Sequence, residues 1–315
     1  MKIGIVGDLH IAPTPQSRID DYFNVGLNKI TEISKNCDIV IFLGDIFTSS
    51  KVEEKYVYRF IQHLQYCINK YNVKFYTIVG NHDVLSEDED NLDNSSLGIC
   101  KISGVLNIIL PNQPLKLKDG IHYNFSTIPV KYKSAKQFLI EQKHKLLQPL
   151  KYYTNILLVH HEYETGVNCF TYNDFKELGY DMVFLGHDHK PFDQGRIIYP
   201  EFTIYRSGSI MRNRADDYNF TRQLYYYVIE NGNVSCQAVT TVPAQNIFKV
   251  EALTKQNYSK QKFKESLDKV IEKYKNNIST QSRFSIKNIL EELNAPEKVI
   301  TGIKKKHEKF GEVFE

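Results

Sequence analysis

Five short runs in the first 190 residues are continuously apolar: Ile3-Gly4-Ile5-Val6, Ile39-Val40-Ile41-Phe42-Leu43, Phe75-Tyr76-Thr77-Ile78-Val79, Ile156-Leu157-Leu158-Val159 and Met182-Val183-Phe184-Leu185. Runs of this kind, giving way at once to polar residues, read as buried strands. Between the first two, Ile19, Tyr22, Phe23, Leu27, Ile30 and Ile33 recur at helical spacing, with Asp20 and Asp21 in the first turn, where the helix dipole favours acid. A second helical stripe carries Tyr56, Val57, Phe60, Ile61, Leu64, Cys67, Ile68 and Tyr71. The opening thus predicts βαβ units and a parallel sheet joined by right-handed crossovers.

After the fifth run the rhythm becomes β throughout, over Ile197-Ile198, Phe202 to Tyr205, Gln223 to Ile229 and, past a Gly232 turn, Val234 to Val242. This predicts a second sheet packed on the first: an α/β fold, a two-sheet β-sandwich flanked by helices. Near Val242-Pro243-Ala244 the pattern breaks, which divides the chain into a large domain over 1–243 and a small α-rich module over 244–315. In the module a short strand, Ile247 to Val250, leads to a helix with Phe263, Leu267, Val270, Ile271 and Tyr274 on one face, and two shorter helices are separated by Asn294-Ala295-Pro296.

Each of the five runs ends in a polar motif: Gly7-Asp8-Leu9-His10, Gly44-Asp45, Gly80-Asn81-His82-Asp83, His160-His161 and Gly186-His187-Asp188-His189. Candidate metal ligands therefore gather at the carboxyl ends of strands, the edge where open α/β sheets hold ligands. Any one motif read alone is also a plausible turn, with Gly for backbone geometry and Asp as a cap. Five in succession point to a site for two divalent cations, which need a shared carboxylate and oxygen and imidazole donors on either side. Asp45 suits the shared position. Asp8 and His10 alternate about Leu9, as His187 and His189 do about Asp188, so on an extended strand end each pair would share a face. Asn81 adds a neutral oxygen donor. Either His160 or His161 can be the ligand, the former being nearer the strand end.

Composition narrows the class without naming the substrate. Hydrophobic content of 42% and charged content of 24% suit an ordinary globular chain. The five cysteines, Cys37, Cys67, Cys100, Cys169 and Cys236, have no paired spacing and suggest reduced thiols. No apolar stretch approaches the roughly 18 residues of a membrane span, and no signal peptide is evident, so a cytoplasmic protein without membrane contact is expected. Net charge is only +3, yet residues 255–315 hold 14 Lys plus Arg against 9 Asp plus Glu. Such a skew offers either a phosphate-attracting face or merely a solvated helical surface.

The motif set Asp8, His10, Asp45, Asn81, His82, His160, His187 and His189 resembles that of the calcineurin-like metallophosphoesterases. The runs Gly186 to Pro191 and Tyr205-Arg206-Ser207-Gly208-Ser209, with Arg212 after them and the trailing module, resemble the SbcD-type nucleases of DNA double-strand-break repair within that superfamily. The resemblance implies the metallophosphoesterase fold and two divalent metal ions, Mn preferred, with Mg, Fe or Zn as alternatives. It implies one ion on Asp8, His10, Asp45 and His189 and the other on Asp45, Asn81, His160 and His187. His82 would act on the scissile phosphate or the leaving oxygen, oriented by Asp83. Thr48 and Arg212 would touch substrate. Thr48 also departs from the pattern, since these nucleases often carry His or Asp three residues after the bridging Asp, which affects the balance of exonuclease and endonuclease activity. Implied partners are DNA, an SbcC-type SMC-like ATPase gripped by the C-terminal module and, as an option, a second copy of the chain. A phosphodiesterase or phosphatase for a small molecule or nucleotide would use the same ligands. A non-catalytic scaffold would show lost ligands, and none is lost.

Overall fold

The computed structural model describes residues 1–11, 18–19, 21–85, 89–132, 137, 149–164, 169–212 and 224–252. Among these residues twelve strands run in chain order as β1 (Lys2–Val6), β2 (Ile39–Phe42), β3 (Lys74–Thr77), β4 (Asn107–Ile108), β5 (Leu115–Asp119), β6 (Ile121–Thr127), β7 (Thr154–Val159), β8 (Met182–Leu185), β9 (Arg196–Ile198), β10 (Thr203–Tyr205), β11 (Tyr225–Glu230) and β12 (Asn233–Ala238). The α-helices among the described residues are α1 (Tyr22–Ser34), α2 (Glu54–Tyr71), α3 (Ser96–Ile102) and α4 (Tyr172–Leu178). All five apolar runs are strands, and both helical stripes are helices. Asp21 caps α1 from outside and makes no side-chain capping bond, so the first turn carries no acid.

The strands form two six-stranded mixed sheets, ordered β12-β11-β1-β2-β3-β4 and β5-β6-β7-β8-β10-β9. In the first, β1 to β4 are parallel and β11 pairs antiparallel with β1. In the second, β6, β7, β8 and β10 are parallel, with β5 and β9 antiparallel at the edges. The second sheet is thus not made from the late β region alone. β9 and β10 join it, whereas β11 and β12 return to the first sheet, and its other edge is a hairpin over Leu115–Thr127 turning at Gly120.

Alternation decides which side chains fill the space between the sheets. Ile3, Ile5, Ile39, Ile41, Tyr227 and Ile229 of the first sheet meet Tyr123, Phe125, Ile156, Leu158, Phe184 and Tyr205 of the second, all buried. The opposite face of the second sheet, through Leu157, Val159, Val183, Leu185 and Ile204, packs on Phe175 and Leu178 of α4. On the outer face of the first sheet a β-carbon on Gly4 would come within 2.9 Å of Cys37 Sγ and 3.5 Å of Ile33, so α1 lies close against β1. Val57, Phe60, Leu64 and Cys67 are the buried stripe of α2.

The chain divides into two units, Met1–Lys249 and Val250–Glu315. At the end of the first, a 3-10 turn over Ala244–Asn246 precedes a single bridge between Phe248 and Arg18, where a strand to Val250 was expected. The helices expected in the C-terminal module lie outside the described residues. Among the described residues, no helix is long and apolar enough to cross a membrane.

Phe125 is fully buried between the sheets, and its removal leaves a void that rigid strands cannot close. Phe125→Ala is expected to lower unfolding free energy by about 3 to 5 kcal/mol, read from the midpoint of urea denaturation. A loss below about 1 kcal/mol would mean that the two sheets do not share this core.

Candidate metal centre

Every candidate residue lies a few positions beyond a strand end. β1 delivers Asp8 and His10, β2 delivers Asp45, β3 delivers Asn81 and His82, β7 delivers His160, and β8 delivers His187 and His189. The loops are tied to one another by backbone bonds. Leu9 and His10 donate their N–H groups to the Asp45 carbonyl at 3.2 and 2.9 Å, and Ile11 donates to the Ile46 carbonyl at 2.7 Å. His187 N–H reaches Asp8 Oδ1 at 3.2 Å, and His82 N–H reaches Asp45 Oδ1 at 2.9 Å.

Two clusters result. On one side His10 Nε2 and His189 Nε2 stand 2.9 Å apart, with Asp8 Oδ2 at 3.8 and 3.7 Å from them. On the other, Asn81 Oδ1 lies 3.1 Å from His160 Nε2 and 3.0 Å from His187 Nδ1. Asp45 Oδ2 sits between the clusters, 3.5 Å from His10 Nε2 and 3.2 Å from His160 Nε2. His187 and His189 therefore face different clusters, although alternation placed them on one face. Asp8 and His10 do meet, but by another route: His10 has φ of +51°, so its loop turns back instead of extending. Asp45 (φ +47°) and His187 (φ +76°) share that left-handed backbone, which costs a residue with a β-carbon about 1 kcal/mol or more and concentrates at functional sites.

The donor chemistry fits divalent cations. His160 commits Nδ1–H to the Leu43 carbonyl at 2.7 Å, so its Nε2 faces two oxygen acceptors and needs a positive centre between them. The paired nitrogens of His10 and His189 set the same requirement. Asp8 Oδ2 is buried and accepts no hydrogen bond. Electrostatics agree. Burial pushes the Asp8 and Asp45 carboxyls up, but His10 beside Asp8 and His160 beside Asp45 outweigh it and hold both below the usual range. Burial alone would push the His160 imidazole down, yet Asp45 and Asp8 raise it to about 10. A field that holds a proton so firmly also favours a metal ion.

Glycine permits this closeness. A β-carbon on Gly80 would lie 2.2 Å from the Asp45 amide nitrogen and from Asp45 Oδ1, and one on Gly186 would lie 2.4 Å from the Leu43 carbonyl oxygen and 2.9 Å from His160 Nδ1.

Residues around the clusters take definite places. His161 stacks on Phe170 with ring centroids 5.0 Å apart and donates Nε2–H to the Pro129 carbonyl at 3.2 Å, so His160 is the histidine at the site. His82 is exposed, with its Nδ1 2.8 Å from the Thr48 carbonyl. That corrects the role expected of Asp83, which does not orient the His82 ring. Asp83 is buried and accepts the N–H groups of Gly80 at 3.0 Å and Phe47 at 3.2 Å, and burial and the Asp45 charge push its carboxyl up to about 7. Thr48 takes over the orienting role through its backbone.

Arg212 needs a second correction. It is buried and donates to the Val242 carbonyl at 2.6 Å, close enough to Lys29 to help burial lower that amine to about 8. Its surroundings make it an interior anchor instead of a substrate contact. Residues not anticipated also support the site. Ser209 donates its hydroxyl to the Asp8 carbonyl at 2.8 Å and its N–H to the His189 carbonyl at 3.1 Å. Arg206, stacked 4.0 Å from the Phe192 ring centroid, pairs with Asp188 between the two histidines. The run Tyr205 to Ser209 was the visible signal for both. Glu162 brings Oε1 within 3.7 Å of His187 Nε2.

Residues 1–191 match the profile of the family described as Calcineurin-like phosphoesterase. No curated protein matches the chain. Similar solved structures include a dimetal phosphatase from Danio rerio, 11% identical, covering 77% of this chain and 97% of that one at a TM-score of 0.47. A hypothetical protein from Pyrococcus horikoshii is 10% identical, with 82% and 93% covered and a TM-score of 0.38. Vacuolar Protein Sorting 29 from Cryptosporidium parvum is 13% identical, with 76% and 98% covered and a TM-score of 0.34.

Gly80→Ala tests the packing of the centre. The added methyl displaces the Asp45 carboxylate, so cation affinity measured by titration calorimetry should fall by at least about tenfold, equivalent to about 1.4 kcal/mol, while circular dichroism stays that of the wild type. Wild-type affinity in this variant would show that the Asp45 carboxylate does not hold the cations.

Proposed function

Starting from the premise that this chain belongs to the calcineurin-like phosphoesterase family, as its residues 1–191 establish, we propose that it is a two-cation DNA nuclease that hydrolyses phosphodiester bonds in repair or recombination. Family and candidate metal centre together make it a phosphoester hydrolase. The observation that carries the reading is the position of Asp45 Oδ2, within 3.5 Å of imidazole nitrogens from both clusters. In this reading Asp8, His10, Asp45 and His189 hold one cation, and Asp45, Asn81, His160 and His187 hold the other. When bound, the cations, Mn first and Mg, Fe or Zn as alternatives, supply Lewis acidity toward the phosphoryl oxygens and lower the pKa of the attacking water.

The chain's own groups do the rest. A carbonyl only accepts, so the contact with Thr48 makes His82 Nδ1 an N–H donor and leaves Nε2, when it too carries a proton, to donate to the phosphate or the leaving oxygen. Asp83 holds the loop that carries His82 by its bonds to Gly80 and Phe47. DNA as substrate is supported by two runs that resemble those of SbcD-type nucleases, Gly186 to Pro191 and Tyr205 to Ser209. In the fold they interlock: a β-carbon on Gly208 would meet the His189 carbonyl oxygen at 2.4 Å. An SbcC-type ATPase is the proposed partner, engaged through the module over 244–315.

Linear duplex and hairpin DNA, incubated with the chain and Mn, should be cut, and His82→Ala should lower the rate by about 10²- to 10⁴-fold while both cations remain bound by calorimetry. Loss of the cations in that variant would refute the role given to His82. Hydrolysis of an aryl phosphodiester with no DNA cleavage, even beside a coexpressed ATPase, would assign the chain to small-molecule or nucleotide esters.

A further inference from the structure

We infer that Glu162 is a positioning residue for the second cation site, its carboxylate holding His187 as the Nε2–H tautomer with the Nδ1 lone pair turned inward. This rests on the two-cation reading and deepens it. His187 presents opposite ring nitrogens to opposite surroundings. Nδ1 faces Asn81 Oδ1 at 3.0 Å, beside the His160 ring, whose centroid is 5.3 Å away. Nε2 points the other way, toward Glu162 Oε1 at 3.7 Å.

A metal-binding imidazole donates its remaining N–H to a carboxylate, a carbonyl or water, which fixes both tautomer and ring angle. His160 meets that need on the Leu43 carbonyl, and His82 is held in the same manner by the Thr48 carbonyl. Among the described residues, the acceptor near His187 Nε2 is Glu162. Its separation of 3.7 Å is longer than a hydrogen bond. Closing it takes only a side-chain rotation, because the Glu162 backbone is already pinned by Phe170 N–H at 2.9 Å, whereas its side chain is 47% exposed. The need is greater at this ligand than at His160. His187 has left-handed backbone at φ +76° and a side chain 31% exposed, against 0% for His160. The competing view, a glutamate that only solvates the rim, predicts no effect on metal.

The test is Mn titration calorimetry on the full chain as wild type, Glu162→Ala and Glu162→Gln. Glu162→Ala should weaken one of the two cations by about 10- to 100-fold and leave the other unchanged, with Glu162→Gln, which keeps a carbonyl acceptor, in between. In ¹⁵N-imidazole spectra of the metal-free chain, the His187 signal, assigned by its loss in His187→Asn, should pass from the Nε2–H form toward a tautomer mixture in Glu162→Ala, with an unchanged melting temperature. A wild type that binds no pair of cations overturns the two-cation reading itself. Two wild-type affinities retained in Glu162→Ala, or both weakened equally together with a lower melting temperature, overturns the assignment of Glu162 alone.

Discussion

One carboxylate organises this molecule. The two oxygens of Asp45 have separate duties, Oδ1 receiving the His82 N–H and Oδ2 facing His10 and His160. Its own carbonyl accepts the N–H groups of Leu9 and His10. The loop after β2 therefore fixes the loops after β1 and β3 through backbone and side chain together, and reaches across to the second sheet through His160. An aspartate at 1% exposure is costly to hold charged unless cations or donors surround it. Here they come from three separate strand ends, those of β1, β3 and β7, so the electrostatic need of one side chain and the meeting of the two sheets are the same constraint.

Bringing so many polar ends together requires backbone that ordinary residues resist. His10, Asp45 and His187 pass through left-handed conformations, and Gly80 and Gly186 sit where a single methyl group would collide with a neighbouring loop. The hydrophobic layer between the sheets, continuous from Ile3 to Phe184, bears that strain. Close packing resists local collapse, so the rim can keep an arrangement that its loops would abandon in isolation.

That division explains what could be read from the residues alone. Apolar runs announced β1, β2, β3, β7 and β8 because burial on both faces leaves no polar position to confuse the period. The hairpin over Leu115–Thr127 carries a weaker signal: Leu115 and Leu117 alternate with lysines on an edge strand, and only Gly120 marks the turn. The late strands were legible as strands but not as members of different sheets, because partner choice depends on β11 finding the free edge of β1, which no local pattern records. Alternation likewise misplaced His187 and His189, since one reversal of φ at His187 sends neighbouring side chains to opposite clusters. Asp83 next to His82 suggested a dyad. The buried N–H groups of Gly80 and Phe47 claim that carboxylate first, because leaving buried donors unpaired costs more than leaving an exposed ring to a carbonyl. The resemblance implied a substrate contact for Arg212, yet its side chain is buried.

Exposure also gives the site a direction. Asp8, His10, Asp45 and His160 are buried, whereas His82 is exposed and Asn81, His187 and His189 are partly so. A phosphoester must then approach over Asn81, His82 and His187, with the buried Asp8 behind them. Glu162 stands on this open side, where a bare carboxylate would repel an anionic phosphoester. In the proposed arrangement, pairing it with the His187 N–H would offset that charge at the point of entry, so the group proposed to steady His187 is also the one whose repulsion of substrate the site would have to neutralise.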